Sequence, residues 1–267
     1  MIRRSLLRSL LLTLGLLLVA VMMAMPFVTL LPSSLYAVLP WPQLIPEHVS
    51  ARAWRYLLAP ASNTGEAVLT SIIIAVCVTA INLVLAIPAA DALARHTLRG
   101  KRAIEALLYA PIVLPAFVSV MGAHLTFIRF GLTESIIGVI LAHLSPSLPY
   151  MIRALTISFS TLSFAWEEQA AMLGAGPLAR LRYVVWPHIR QGVAAGAALS
   201  MLVSLSQYLI TFLVGGGQVM TLPILLLPFA SGGDSSIAAA YTIVFAVLAA
   251  ATLGLMNVWL RRYDKLQ

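Results

Sequence analysis

The sequence has few charged residues and a single cysteine. Asp, Glu, Lys and Arg make up 10% of its 267 residues, against about a quarter in a typical soluble domain. Apolar residues make up 61%, which is more than a soluble chain of this length can bury, and the same excess excludes intrinsic disorder. Because Cys77 is the only cysteine, an intrachain disulfide and a multi-cysteine metal cluster are both excluded. The composition therefore indicates a membrane protein.

The sequence also lacks the motifs of common hydrolytic sites. Its two lysines, Lys101 and Lys265, do not stand in the Gly-x-x-x-x-Gly-Lys-Ser/Thr pattern that holds nucleotide phosphates. Neither Gly-x-Ser-x-Gly nor His-Glu-x-x-His is present. His124 and His143 lie in apolar runs without a companion carboxylate, so we interpret them as hydrogen-bonding to neighbouring helices rather than as a metal site or a proton relay. We predict that the chain is not an enzyme and itself binds no metal or cofactor.

Six apolar runs are long enough to cross a bilayer core, which needs about 20 helical residues. Backbone groups in hydrocarbon must be paired within their own segment, so each run is predicted to form a helix. The predicted fold class is therefore all-α, a polytopic membrane protein with one transmembrane domain over residues 1–267. The predicted spans are residues 10–31, 67–90, 107–128, 135–157, 193–214 and 237–260.

Two apolar segments have alternative interpretations. The first run follows a basic N-terminal cluster, as a cleaved signal peptide does, but its apolar core exceeds the usual length of about 7–15 residues. We therefore favour a retained first span. Residues 220–230 are apolar but too short to cross the bilayer, and they contain Pro223 and Pro228. This segment is predicted to be re-entrant or to lie at the surface.

The basic residues are distributed unevenly between the predicted loops. With six spans and an internal N-terminus, all but three of the 17 Lys and Arg residues fall on the inner side, and Arg52, Arg55 and Arg129 remain outside. This asymmetry is the positive-inside rule, and it predicts both termini in the cytoplasm. The same asymmetry accounts for the net charge of +8. We therefore predict that membrane lipid surrounds the protein and that nucleic acid is not a partner. In the long outer loop, Trp41 and Trp54 are predicted to lie at the interface.

The long inner connection is predicted to form two short helices joined by a glycine turn. Ser163 can cap the first helix, and Gly174 stands where a left-handed C-terminal cap is needed. Gly176 followed by Pro177 predicts the start of a second helix, and Pro187 predicts its end. On these features alone, an amphipathic hairpin that covers the bundle at the membrane interface is an alternative.

The spacing in this connection resembles the EAA loop of the membrane subunits of binding-protein-dependent ABC importers. The matching pattern is Glu168-x-Ala170-x-x-x-Gly174, followed by Pro187. Gln169 stands where the family usually has alanine. The resemblance implies a type I importer permease with six transmembrane helices and a cytoplasmic coupling-helix hairpin between helices 4 and 5.

By this resemblance, the hairpin couples the membrane helices to a cytoplasmic motor. The chain would move a small solute by alternating access across a bacterial inner membrane, after delivery by an external solute-binding protein. The implied partners are two ATP-binding cassette ATPase subunits, which bind ATP and Mg, and a second permease, identical or different. The implied coupling residues lie in the loop 158–191 and are Glu167, Glu168, Ala170, Gly174, Ala175 and Pro187.

A polar stripe in the predicted fifth span is the candidate translocation path. Its members fall at i, i+3, i+4 and i+7 and would share one face of a continuous helix; they are Ser204, Gln207, Tyr208 and Thr211. The alternative is that they only join helices by hydrogen bonds. Polyamine-type permeases look acidic in this stretch, whereas this chain has Ser206 and Gln207. The run that continues to Gly215–Gly217 resembles the thiamine branch more closely.

Three other functions are considered for a polytopic helical protein. The main alternative is an ion-gradient-driven secondary transporter, which would need paired acidic residues or broken helices at mid-membrane. No predicted mid-span contains a carboxylate. A membrane-embedded enzyme would need a reactive constellation, which we do not find. A non-transporting scaffold leaves the long inner connection unexplained.

Overall fold

The computed structural model describes residues 2–36 and 49–264, and this part of the chain is helical. Its only β pairing is one antiparallel bridge between Tyr36 and Val49. The predicted all-α class is confirmed, and the predicted interfacial Trp41 lies outside the described residues. The helices are α1 (Ile2–Ser34), α2 (Arg52–Leu58), α3 (Thr64–Arg95), α4 (Lys101–Val113), α5 (Ala116–Arg129), α6 (Ile136–Ser160), α7 (Phe164–Met172), α8 (Pro177–Arg180), α9 (Trp186–Leu205), α10 (Leu209–Gly215), α11 (Leu222–Gly232) and α12 (Ser235–Asp264).

By length and composition, the described residues contain four helices that could cross a membrane, and up to six spans if each of two bent helix pairs forms one span. Four are single helices, formed by α1 from Leu12, α3, α6 and α12 up to Leu260. The other two are pairs of helices with a sharp bend between them, α4 with α5 and α8–α9 with α10. The number of spans agrees with the prediction when each bent pair is counted once. The apolar segment at 220–230 forms most of α11, which is too short to cross a bilayer.

The third span is broken at a proline. α4 and α5 meet at a bend of 103°. Pro115 has no N–H group, and its ring forces the preceding Leu114 into an extended conformation with φ −69° and ψ 143°. The third predicted span, residues 107–128, therefore consists mainly of two helices that meet at this bend. In α6, by contrast, Pro146 and Pro149 both lie inside one helix.

The fifth span is broken without a proline or a glycine at the break. α9 ends at Leu205 and α10 begins at Leu209, with a bend of 61°. The Ser206 hydroxyl donates to the Val203 carbonyl at 2.9 Å, and the N–H of Gln207 donates only three residues back. Such local bonds compete with the regular helical ladder. The continuous helix predicted over residues 193–214 is therefore wrong, and the polar stripe does not lie on one helical face.

The described chain divides into two compact units. The first contains the described residues within 1–64 and 225–246, and the second those within 65–224 and 247–264. In the first unit, Arg52 donates to both carboxylate oxygens of Asp234 at 2.7 and 2.9 Å, and the buried Tyr241 shares a hydrogen bond with Thr64. The single domain over residues 1–267 stays a prediction.

In the second unit, α6 and α9 approach each other closely at two glycines of α9. A Cβ atom on Gly192 would lie 2.9 Å from the carbonyl oxygen of Ala154, and one on Gly196 would lie 2.6 Å from the sulfur of Met151. Because the glycines are four residues apart, they share one face of the helix. Small residues at such spacing let two membrane helices pack with their backbones close together.

A buried amide joins the same two helices to α3. The side chain of Asn82 is fully buried, and its Nδ2 donates to Ser147 Oγ on α6 at 2.7 Å and to Ser200 Oγ on α9 at 2.9 Å. Inter-helical bonds of this kind are favourable in a membrane because the polar groups have no water as an alternative partner. Asn82 therefore fixes the relative register of three helices.

Candidate functional site

The predicted coupling segment begins as a capped helix. Ser163 is extended at the N-cap of α7, and its hydroxyl accepts a hydrogen bond from the N–H of Ala165 at 3.3 Å. The two acidic residues that follow have different surroundings. Glu167 is half-buried and forms an ion pair with Arg95, whereas Glu168 is exposed. Of the two carboxylates, only that of Glu168 is therefore fully open to solvent.

The end of α7 is a Schellman motif centred on Gly174. The backbone of Gly174 is left-handed, with φ +84°, a conformation that glycine adopts without steric cost. Its N–H donates to the Ala171 carbonyl at 2.9 Å, and the N–H of Ala175 donates to the Ala170 carbonyl at 3.0 Å. Ala170 thus supplies the carbonyl that accepts the longer hydrogen bond of this turn, and Gly174 supplies its left-handed residue. The geometry of the turn therefore explains the spacing between these two residues.

The second short helix does not end at Pro187. Pro177 starts α8 as predicted, but the chain then passes through a π-helical turn, Leu181–Val185, directly into α9. The N–H of Trp186 donates five residues back, to the Leu181 carbonyl. This wider turn relieves the clash that a proline ring makes with a regular preceding turn. The predicted helix end at Pro187 is therefore wrong, and α8 leads without a loop into the fifth span.

The turn of this hairpin exposes large apolar side chains. Met172 and Leu173 are 88% and 89% exposed, and Leu178 beyond the glycine turn is 78% exposed. The apolar residues of α7 are spread around the helix and none is buried, unlike an interfacial helix, which gathers them on one face. Exposed apolar clusters of this kind are typical of contact surfaces. We call Glu168, Met172, Leu173 and Leu178 the docking face.

Arg95, the last residue of α3, is a functional candidate that the sequence pattern alone did not indicate. Its Nη1 donates to Glu167 and its Nε to Asp91, both at 2.6 Å. The pair at 91 and 95 has the i, i+4 spacing of helical ion pairs and was visible in the sequence. Nothing local linked it to Glu167, which is 72 residues away.

Two members of the predicted path contact a buried histidine instead. His143 on α6 has its Nδ1 at 3.0 Å from Ser204 Oγ and its Nε2 at 3.0 Å from Thr211 Oγ1. The histidine thereby joins α6 to both halves of the broken fifth span. The hydrogen bonds predicted for His143 are present. For His124, Nδ1 has no hydrogen-bond partner within the described residues.

Gln207 lines a cavity of about 130 Å³ near both broken spans. Pro111 and Ser119 contribute from α4 and α5, and Pro146 contributes from α6. Tyr208 does not line this cavity; its ring stacks on Phe212 with the centroids 5.6 Å apart. Of the four predicted path residues, Gln207 is the one that borders the cavity.

Three backbone carbonyls at this cavity cannot accept the usual helical hydrogen bond. Pro111, Ala142 and Ser145 all line the cavity. In each case the residue four positions later is a proline, at 115, 146 and 149, which has no N–H to donate. Among the described residues, the wall of this cavity thus combines the Gln207 amide with three residues whose carbonyls lack a helical donor, and it contains no charged side chain.

Comparison with known families identifies the architecture. A family model described as a binding-protein-dependent transport system inner membrane component matches residues 82–265. This range covers more than half of the chain. It includes the docking face, Arg95 and the cavity with Gln207.

Individual relatives are permease proteins of several transport systems. The molybdenum transport system permease protein ModB of Mycobacterium bovis is 31% identical over 188 residues, which cover 65% of this chain and 70% of that protein. The probable sulfate transport system permease protein cysT of a Helicosporidium species is 27% identical over 183 residues, 63% of this chain and 68% of that protein. The thiamine transport system permease protein ThiP of Brucella suis is 28% identical over 156 residues, 52% of this chain but 29% of that protein.

A solved structure has the same fold. It belongs to a bacterial ABC transporter involved in the import of the acidic polysaccharide alginate, and it covers 96% of this chain and 98% of its own with a TM-score of 0.74 at 15% identity. At that identity the likeness concerns the fold alone. With the family match over residues 82–265, the chain belongs to the binding-protein-dependent transport system inner membrane components and is a permease subunit of a type I ABC importer.

Proposed function

We propose that this permease subunit moves a small solute by alternating access, driven by ATP hydrolysis on partner subunits. Two ATP-binding cassette ATPases hold ATP and Mg, and an external solute-binding protein delivers the cargo to the outer side. A second permease, identical or different, completes the path. Each ligand acts by favouring one of two conformations of the membrane helices.

The observation that carries this proposal is the docking face on the α7–α8 hairpin. Its apolar side chains are exposed beside the free carboxylate of Glu168. The left-handed turn at Gly174 fixes the direction in which they project. Because α8 continues through the π turn into α9, a force on the hairpin reaches the fifth span without a flexible linker. We propose that Glu167, Ala170, Ala175 and Pro187 support this face from behind.

The proposed orientation follows the distribution of charge. The hairpin and both termini lie in the cytoplasm, on the side that holds most of the arginine residues. An ATPase can reach the docking face only in this orientation. The single transmembrane domain spans the inner membrane of a bacterium.

We propose that the solute passes the cavity bordered by Gln207. Both bent spans border it, as do three residues whose carbonyls lack helical donors, and irregular backbone at membrane depth is tolerated where it lines a cavity. Ser204 and Thr211 hold the broken helix on His143, and Tyr208 stacks on Phe212. In this proposal, only Gln207 of the four touches the solute.

Copurification tests the proposed function directly. We expect an ATP-binding cassette ATPase to copurify with the chain when the chain is isolated from its native cells in mild detergent. In lipid vesicles, ATP turnover by the complex should rise several-fold when the loaded binding protein is added. Absence of an ATPase from the purified complex, together with uptake that needs no ATP, contradicts the proposal.

The same vesicles separate this proposal from an ion-gradient-driven transporter. That alternative would use broken helices, which this chain has, so the bends by themselves do not discriminate. We expect uptake to persist when an ionophore collapses the ion gradients and to stop when ATP is withheld. The family match favours this outcome.

Replacing Gln207 with leucine tests the path. We expect the apparent KM or the maximal rate of uptake to change by about tenfold, because a hydrogen bond to the solute is worth about 1.5 kcal/mol. The ATPase should still copurify, since Gln207 is not part of the docking face. Gln191→Leu is the matched control, because it makes the same chemical change at a residue that is exposed and absent from the cavity wall. Uptake kinetics equal to those of the control would show that Gln207 only packs.

A further inference from the structure

The first helix of the hairpin is held to the bundle by few contacts. No residue of α7 is buried. A space of about 250 Å³ lies between the hairpin and the ends of α3 and α6, with Pro177 and Arg180 on one wall and Pro88 and Phe159 on the other. Burial of apolar surface therefore does not fix α7. In addition to the ring contacts of Phe164 with His96 and of Trp166 with His188, polar contacts determine how it moves with the bundle.

Arg95 provides those contacts from inside the bundle. Its side chain is 7% exposed, and it forms ion pairs with Asp91 on its own helix and with Glu167 on α7. Its guanidinium lies 4.2 Å from the ring centroid of Phe164, the first residue of α7, and 5.5 Å from that of Phe159 on α6. One side chain thus contacts the ends of two membrane-spanning helices and the beginning of the hairpin.

The chemistry of this contact suits the transmission of force. Charge-assisted hydrogen bonds at 2.6 Å are short and directional, and the planar guanidinium can bond in its plane while it packs on aromatic rings above it. Asp91 holds the guanidinium from the same helix, so the side chain cannot swing to follow α7. A displacement of α7 therefore displaces α3 rather than only the arginine.

We propose that Arg95 is a positioning residue that transmits the movement of α7 to α3 and α6 through its ion pair with Glu167. The inference rests on the proposed function, since α7 must first be moved by a docked ATPase. It assigns different roles to two adjacent carboxylates. Glu168 belongs to the docking face, and Glu167 belongs to the internal link. When the hairpin moves, the direct continuation of α8 into α9 moves the fifth span with it. Through Arg95, the second span, α3, takes part in the same movement.

The test measures solute moved per ATP hydrolysed in reconstituted complexes. We expect Arg95→Gln and Glu167→Gln each to lower this ratio about tenfold, and the double variant to be no worse than either single one, because both remove the same interaction. Arg95→Lys keeps the positive charge but loses the forked hydrogen bonding and the ring stacking of the guanidinium. It should therefore restore part of the solute moved per ATP hydrolysed. Arg99→Gln is the matched control, since Arg99 is exposed and only four residues further along the chain.

The ratio is measured only on complexes that retain the ATPase, so a loss of yield does not affect it. If Arg95→Gln fails to fold, Glu167→Gln still tests the link, because α7 contributes nothing to the core. A ratio within twofold of Arg99→Gln for both variants, or a double variant as low as the product of the single effects, overturns the inference. If no ATPase copurifies with the unsubstituted chain, the proposed function fails and this inference fails with it.

Discussion

Gly174→Val is expected to lower transport about 30-fold while the membrane bundle stays folded. Valine at φ +84° meets a clash between its Cβ and the backbone, and the cost of about 2 kcal/mol corresponds to about 30-fold fewer molecules with the native turn. No atom lies within 4 Å of a Cβ built on Gly174, so packing elsewhere is unaffected. The effect on transport is measured as uptake into vesicles. Copurification of the ATPase in detergent shows whether docking is retained.

Two neighbouring substitutions make this prediction specific to backbone conformation. Gly176 has an ordinary φ of −67° and equally open surroundings, so Gly176→Ala should transport normally. Asparagine tolerates the left-handed region better than other side chains, so Gly174→Asn should lie between valine and the native residue. Normal transport by Gly174→Val would show that the direction of the hairpin does not matter for coupling.

Gly192→Leu is expected to destabilise the bundle itself. The first side-chain atom would lie 2.9 Å from the carbonyl oxygen of Ala154, and a backbone atom of α6 cannot rotate away as a side chain can. The two helices must separate, and overpacking of this kind costs about 1–3 kcal/mol or more. We expect a clear fall in the thermal unfolding midpoint in detergent and a low yield of monodisperse protein.

The matched control for this substitution lies on α12. A Cβ on Gly254 has no neighbour within 4 Å, so Gly254→Leu adds the same apolar volume to a membrane helix without forcing two backbones apart. Its unfolding midpoint should equal that of the native chain. If Gly192→Leu and Gly254→Leu unfold at the same temperature, the close contact of α6 and α9 does not contribute to stability.

Local rules predicted the hairpin turn correctly. Ser163 caps α7, Gly174 ends it and Pro177 restarts the chain, because each of these depends on backbone groups within five residues. The spacing from Glu168 to Gly174 was also sufficient to suggest the family, which the match over residues 82–265 confirms. The coupling roles themselves stay predictions.

The same local rules failed where a residue contacts another residue far away in the sequence, and where the helix changes from α to π geometry. Pro187 was expected to end a helix, but a π turn before it accommodates the ring. The helix that was predicted through Ser204 and Thr211 breaks between them, and both hydroxyls contact His143 on α6. The periodicity of the sequence placed these residues on one face of a continuous helix. Because the helix breaks between them, they do not share such a face.

The sequence by itself determined the all-α membrane class and the position of the hairpin in the chain, because the length of apolar runs and the turn chemistry are properties of neighbouring residues. Only the tertiary structure decided that Gln207 borders a cavity while Ser204 and Thr211 bind a histidine, and that Glu167 is paired while Glu168 is exposed. Such contacts join residues 61 to 72 positions apart, and they depend on how whole helices pack, which no local pattern encodes.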